Sequence, residues 1–449
     1  MPGGNLGGGA ILELGEAFSE ITWLDRGSGR IRAGVGAVAA DLAMAAREEG
    51  FFLPFLPSSS GWCRVGGMVA NNAAGARTFR YGAAAHFVEA IEGIFAWGEP
   101  FRVGRGLPIP DIFGSLATSL RASPAATMQS WPDIRKNSSG YALDRFLVED
   151  DPAQLLVGSE GTIAFLTQVD FRLPRTPALR GLAILPARNS NDVQEIALRA
   201  ARIGTESCEF LGRRFLEISG IVTDMEVGEV AKGAYGLLLL EVAGESEGEV
   251  AEGLSQLQRL GSQIGGPGLA SPHPTVVDRL WKLRHAASPM IAREAGAGRI
   301  STQFIEDSVV PPRHLAAYLD GIEEILTRAA FDSVIFGHAG DGNIHVNPLL
   351  DLNSPDWFER TLRAMEETAG LVRSLGGTLT GEHGDGRIRA PYLSRIWDPA
   401  IVMGFQEVKH TLDSRGILNP GVILPLPGQD PFEGFTPRPR SHPPFATPV

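Results

Sequence analysis

The sequence predicts an α+β protein whose antiparallel sheet is backed by helices. Three observations carry that expectation. Hydrophobic residues at 43% and charged residues at 20% describe a chain that packs a core. Up to about residue 175 short strand-like runs alternate with glycine turns, and from Leu179 onward the elements lengthen into strands and helices. That later stretch lacks a βαβ rhythm, which argues against a doubly wound parallel sheet. A length of 449 residues calls for more than one core. The change of texture divides the chain into residues 1–175, residues 176–421 and a proline-rich tail, 422–449, expected to be disordered.

In chain order, residues 10–14 and 30–35 read as strands. Residues 37–50 have helical spacing, with Val38, Leu42 and Ala45 on one face and Gly50 past the end. The run from Gly158 through Val169 and Phe171 is a strand stopped by Pro174. Residues 179–186 are expected as a strand, 191–204 as a helix and 236–242 as a buried strand. Residues 276–295 are mostly helical, with Pro289 kinking the helix or ending its first part. Residues 331–348 read as two strands joined through Gly340-Asp341-Gly342, and residues 356–375 as an amphipathic helix.

A net charge of −12 argues against a nucleic-acid partner, because phosphate binding needs concentrated Lys and Arg. Two cysteines, Cys63 and Cys208, lie far apart and outside any CxxC, which excludes a thiolate-bound iron–sulfur cluster and a disulfide framework. No apolar run is long enough to cross a bilayer and no secretory signal is visible, so a cytoplasmic protein is expected.

Chemistry concentrates in two glycine-flanked segments. They are Gly337-His338-Ala339-Gly340-Asp341-Gly342-Asn343-Ile344-His345-Val346-Asn347 and Gly381-Glu382-His383-Gly384-Asp385-Gly386. Alternation along a strand points His345 and Asn347 the same way, and the turn brings His338 near His345. Two imidazoles with the Glu382 carboxylate form a common ligand set for a divalent metal, zinc or manganese among them, with positions left open. His383 stands beside them as a candidate base. Glu382 and His383 share a site only if the backbone bends, which Gly381 and Gly384 permit. Such a triad also suits a metallohydrolase, and hydrogen-bonded histidines stabilising turns are the plainer account.

Gly 55 is well above the usual share of roughly 7%, and the glycines cluster in loops as close approach to a large ligand requires. Pro57-Ser58-Ser59-Ser60 precedes Gly66-Gly67-Met68-Val69-Ala70-Asn71-Asn72-Ala73-Ala74-Gly75, whose successive N–H groups suit a pyrophosphate nest. Neither is a GxGxxG after a strand, so a Rossmann site is not indicated. Arg284 lies on a helical stretch four residues before Ser288, and its guanidinium fork matches a carboxylate. A surface ion pair is the ordinary alternative.

Taken together these segments resemble the vanillyl-alcohol oxidase superfamily of FAD proteins, with a PCMH-type FAD-binding domain, and within it the D-2-hydroxyacid dehydrogenase branch. The likeness runs from about Gly3 to Gly421. It rests on the segments above, with Lys136-Asn137, Gly140-Tyr141, Gly158-Ser159-Glu160-Gly161-Thr162, Trp281 to Arg284, Glu306-Asp307 and Leu418-Asn419-Pro420-Gly421. The resemblance implies FAD as cofactor, lined by Ser58, Ser59, Gly66, Gly67 and Asn72. Gly158, Glu160, Gly161, Thr162 and Ile163 would close over its adenine side, with Asn419 a further contact. It makes His338, His345 and Glu382 metal ligands, His383 the base, Arg284 the contact for the substrate carboxylate and Asn347 a polar neighbour.

Two departures follow from the same likeness. Residues 1–9 fall inside or just after the loop that cradles the FAD pyrophosphate in the family, so the first part of the FAD domain is expected to be missing. Ile305 stands where some members carry a lysine that holds the distal part of the substrate. The implied activity is oxidation of a small D-2-hydroxy acid, of lactate, glycolate or 2-hydroxyglutarate type, by hydride transfer to flavin. A separate acceptor, protein or quinone, would take the electrons, and a homodimer, a complex with another subunit or a peripheral place on the inner membrane is compatible with this. The alternative is a partner-dependent flavoprotein subunit without catalysis of its own.

Overall fold

The computed structural model describes residues 9–123, 131–221, 225–285, 290–291, 293, 299–301 and 303–431. The first sheet contains β1 (Ile21–Asp25), β2 (Arg30–Gly34), β3 (Val88–Ile94), β4 (Pro100–Gly104) and β5 (Phe165–Arg172) in the order β1-β2-β5-β3-β4. Each pairing is antiparallel, and Arg32 on β2 faces Asp170 on β5, with Nε 2.6 Å from Oδ1. Helix α1 (Ala39–Glu48) follows β2 and buries Ala39, Leu42 and Ala46, close to the expected face. Residues 10–14 do not form the expected strand: they run without a sheet partner, and Ile11 and Leu12 are exposed.

The second sheet contains β6 (Leu179–Ala187), β7 (Ser207–Gly212), β8 (Gly236–Gly244), β9 (Leu269–Ser271), β10 (Arg299–Ser301), β11 (Ser308–Val309), β12 (Asp332–His338) and β13 (Asn343–Asp351). Their order is β10-β13-β12-β7-β8-β6-β9, with β11 also on β13, and every pairing is antiparallel. The sequence suggested no βαβ unit, yet β6 and β7 run parallel, joined by helix α2 (Ser190–Ile203), with β8 inserted between them. The split unit escapes a reading by rhythm because the intervening strand comes later in the chain.

Both faces of this sheet are covered. Leu238 and Leu240 join a core that includes Val193 and Ile196 of α2 and Val250 and Leu257 of α3 (Glu247–Gln263). Leu237 and Leu239 point into a second core with Leu280 and Trp281 of α4 (Pro274–His285). Side chains on a strand alternate faces, so four successive leucines can serve two cores. The expected kink at Pro289 and the position of Ser288 lie outside the described residues.

The end of the chain returns to the first unit. Helix α5 (Pro399–Leu412) sets Phe405 against Tyr141, ring centroids 5.9 Å apart. The tail is not disordered throughout. Val422 and Ile423 are buried, and the Gln429 amide donates to the Arg387 and Gly421 carbonyls at 3.0 and 2.9 Å. Two apolar residues next to Gly421 anchor what composition alone marked as free; residues 432–449 lie outside the described residues.

Candidate active site

The β12–β13 hairpin brings the two imidazoles together. A single 3-10 turn at Ala339–Asp341 closes it, and Phe336 pairs with His345 across the strands. Gly342 takes φ +71°, and a Cβ there would lie 2.0 Å from the Val310 carbonyl oxygen, so the turn requires glycine. His338 ends β12, and its ring centroid lies 5.3 Å from that of His345.

Residues 381–386 arrive from another direction and are fixed by Asp307. Its Oδ2 accepts from the backbone N–H groups of Glu382 and His383 at 3.0 and 2.8 Å and from Thr380 Oγ1 at 2.6 Å. The expected bend is present, through Gly384 at φ +82°, where a Cβ would lie 2.6 Å from the Glu160 carboxyl carbon. Glu160 Oε1 accepts from the Asp385 N–H at 2.6 Å. Gly381 does not supply a left-handed residue; it leaves room for the Asn343 amide, 2.8 Å from where a Cβ would stand.

Glu382 Oε1 then lies 3.3 Å from His338 Nε2, 3.4 Å from His345 Nε2 and 3.6 Å from His383 Nε2. The donor atoms of His338, His345 and Glu382 fall within 4.8 Å of one another. The outer ring nitrogens are already oriented: His338 Nδ1 lies 2.6 Å from Glu209 Oε1 and His345 Nδ1 3.1 Å from the Glu306 carbonyl. Imidazoles steered from behind in this way are typical of metal ligands, so the donor set fits a divalent ion. A second set, Glu306, Asp307, His345 and His383, is equally close, but its two carboxylates already accept hydrogen bonds from Thr380, the His383 backbone and Arg389.

Charge pairing accounts for the ionisation of these groups. Burial opposes a charged Glu382, but Lys136 and His338 outweigh it and hold the carboxyl well below the usual range. Glu209 is likewise held down to about 2, against burial, by His338 and Arg284. Burial disfavours a charged His345, yet hydrogen bonds to Glu306 and Glu382 raise it to about 10. A proton on His345, or a dication held by it, balances the same carboxylates.

Arg284 is buried at the same site. Its Nε and Nη2 each lie 2.8 Å from Glu209 Oε2, and its guanidinium carbon sits 4.7 Å from the Phe336 ring centroid. One edge of the fork is thus engaged by protein. Asn347 is buried on β13, two residues from His345 and on the same face.

The residues that the resemblance assigned to FAD are placed less uniformly. Ser58 and Ser59 are exposed on a turn. Gly66 and Gly67 open a short helix, Val65–Ala70, and not a nest, because the Val65 and Gly66 N–H groups donate to the Ala37 and Val35 carbonyls at 2.9 and 2.8 Å. Asn72, in a left-handed conformation at φ 50°, donates to the Asn137 carbonyl and accepts from the Ala85 N–H. Glu160, Thr162 and Ile163 are buried, and Asn419 donates to the Glu160 carbonyl at 2.8 Å. Gly161 has open space where a Cβ would stand. A cleft of about 590 Å³ is bordered by Gly140, Val157, Gly158, Phe79, Tyr81 and Trp131. Arg80, Arg135, Arg145 and Asp144 line it as well, and of the residues assigned to FAD only Gly158 does. Asn137 and Ser138 line it, and Ser138 Oγ donates to the Gly381 carbonyl at 3.0 Å, so it adjoins the segment carrying Glu382.

Sequence reasoning gave no role to Lys136, Glu209, Glu306 or Arg389. A signal existed for Glu209 at least, since it is the charged residue of Ser-Cys-Glu-Phe-Leu-Gly, a strand buried throughout. Buried carboxylates of that kind require a partner.

Comparison with known proteins agrees with this architecture. Residues 179–423 match the family described as FAD linked oxidases, C-terminal domain, and residues 1–104 match an FAD binding domain. Across 94% of its length the chain is 26% identical to a D-2-hydroxyglutarate dehydrogenase of Escherichia coli (strain K12), of which it spans 44%. It is 27% identical to the glycolate oxidase subunit GlcD of Bacillus subtilis (strain 168), over 93% of this chain and 80% of that one. A D-lactate dehydrogenase of Archaeoglobus fulgidus is 29% identical over 87% of this chain and 76% of its own. Among solved structures, 4-ethylphenol oxidase from Gulosibacter chungangensis superposes with a TM-score of 0.65 at 15% identity, covering 92% of this chain and 80% of that one. An alkyldihydroxyacetonephosphate synthase gives 0.58 at 13% identity, covering 90% and 66%. At such identities the structural likeness speaks for the fold alone, a PCMH-type FAD-binding domain followed by an oxidase C-terminal domain. No helix among the described residues is long and apolar enough to cross a membrane. On the match over residues 179–423, more than half its length, the chain belongs to the family of FAD-linked oxidases.

Proposed function

We propose that this chain oxidises a small D-2-hydroxy acid to the 2-oxo acid. The observation that carries the reading is the meeting of buried His338, His345, Glu382 and Arg284 with the partly exposed His383 near a cleft of about 590 Å³. FAD would supply the hydride acceptor. A divalent ion, zinc or manganese, held by His338, His345 and Glu382 would polarise the substrate hydroxyl. Arg284 offers the edge of its guanidinium not engaged by Glu209 to the substrate carboxylate. His383 takes the hydroxyl proton at Nε2, because its Nδ1 is occupied 2.8 Å from Glu306 Oε2. Asn347 supplies a polar group on the face that carries His345. A separate acceptor, protein or quinone, would take the electrons.

His383→Ala tests the assignment. D-lactate, glycolate and D-2-hydroxyglutarate are offered with a dye acceptor, and flavin reduction is followed directly. The rate is expected to fall by about 10²–10⁴ while flavin absorption persists; a parental rate with all three acids removes His383 as the base.

One finding favours a second reading, that the chain acts within a larger assembly: a relative covered over 80% of its length is named a subunit. Purified protein that carries flavin and turns over alone supports independent catalysis. Colourless protein that gains flavin only with a partner supports the other reading.

A further inference from the structure

Lys136 has no exposed surface, and a buried ammonium persists only where it is paired. Its Nζ lies 2.8 Å from Glu382 Oε2 and 3.7 Å from Asp341 Oδ2. Glu382 therefore divides its oxygens: Oε2 faces the lysine, and Oε1 faces the imidazoles of His338 and His345. Asp341 is fully buried on the hairpin turn three residues after His338, and neither of its carboxylate oxygens has a hydrogen-bond partner among the described residues. A buried carboxylate without a donor is costly, and this one lies just beyond hydrogen-bonding reach of a cation that has a single close acceptor.

We infer that Lys136 is the protein's own counter-cation for Glu382, competing with the divalent ion for that carboxylate, and that Asp341 receives the ammonium when the ion binds. The inference rests on the assignment of His338, His345 and Glu382 as metal ligands. Its physical basis is the sharing of one carboxylate by two cations. A dication at Oε1 repels an ammonium at Oε2, and the cost falls if the ammonium shifts toward a waiting anion. The shift needs no backbone movement, because the lysine stem is flexible and Asp341 is already within 3.7 Å.

The two partners then act on metal affinity with opposite signs. Flavin-loaded protein is stripped with a chelator and titrated with Mn²⁺, free ion being counted by electron paramagnetic resonance. Lys136→Met removes the competing charge and is expected to bind Mn²⁺ about 10-fold more tightly than the parent. Asp341→Asn removes the receiving anion and is expected to bind it about 10-fold more weakly. Residues with a merely structural role would lose affinity in both variants. Weaker or unchanged binding in Lys136→Met, or unchanged or tighter binding in Asp341→Asn, overturns the inference. If Lys136→Met does not fold, Lys136→Gln, which keeps a donor to Glu382 without the charge, takes its place with the same expected gain in affinity. Failure of the parent to bind either Mn²⁺ or Zn²⁺ overturns the metal assignment itself, whereas parental binding with unmoved variants overturns only the role of Lys136.

Discussion

Glu306 gives His383 its orientation. One carboxylate oxygen lies 2.8 Å from His383 Nδ1, and the other accepts from Arg389 Nη1 at 3.1 Å. Arg389 is itself buried and fixed by two hydrogen bonds to the Gly384 carbonyl, at 3.1 and 2.7 Å. The imidazole is thus held from behind by a carboxylate that cannot rotate away, leaving Nε2 toward Glu382 Oε1. Glu306→Gln preserves the shape but removes the charge shared by His383 and Arg389. Turnover is expected to fall by about 10–100-fold with flavin content unchanged, measured by flavin reduction beside the absorption spectrum. Parental turnover would show that the pairing is incidental. The histidines proposed to act stood out in the sequence because glycines mark close backbone approach and imidazoles are scarce. Glu306 and Lys136 were not, since a carboxylate or an ammonium has no local pattern when its partner lies 77 or 246 positions away.

The segment from Gly158 to Thr162 and the segment from Gly381 to Gly386 lock together as elements. Glu160 accepts the Asp385 N–H at 2.6 Å and the Gly386 N–H at 3.1 Å, and Gly384 leaves room for its carboxylate. The sequence marked residues 381–386 as chemically active and residues 158–163, by resemblance, as an FAD contact, but gave no hint that one supports the other, because strand and turn signals are local. Burial and the neighbouring Asp385 raise the Glu160 carboxyl to about 8, and burial raises Asp385 to about 6. The folded pair therefore keeps a proton that the unfolded chain has released. Stability from this pair is present below the ordinary carboxyl range and is lost as pH rises through the folded values. Thermal midpoints are expected to decline between about pH 5 and about pH 8, and Glu160→Gln, which cannot ionise, to flatten that decline. An equal slope in the variant would place the pH dependence elsewhere.

Charge pairs link the two sheets beside the apolar core that spans both. Arg77, two residues after Gly75, forks Glu241 of β8, with Nε 2.6 Å from Oε1 and Nη2 3.0 Å from Oε2. Trp281 Nε1 donates to the same carboxylate at 2.8 Å, and Trp281 lies one helical turn before Arg284 on α4. Beside it the Tyr81 hydroxyl donates to Glu206, which also accepts from Arg180 Nε at 2.9 Å. A glycine-rich segment of the FAD-binding unit is thereby tied through one carboxylate to the helix that carries Arg284. Arg77→Met leaves Glu241 buried with Trp281 and with Arg180 at 3.6 Å. The fold should survive, with a loss of about 1–3 kcal/mol for an undersupplied buried acceptor. The functional effect is expected in KM more than in kcat, because α4 loses its register against the first unit while His383 and its carboxylate keep theirs. Steady-state kinetics with the preferred acid, beside a denaturant titration, separates these quantities. A variant that loses stability without a rise in KM shows that Arg77 joins the units without positioning Arg284, and one that changes neither shows that the junction is held by its apolar contacts.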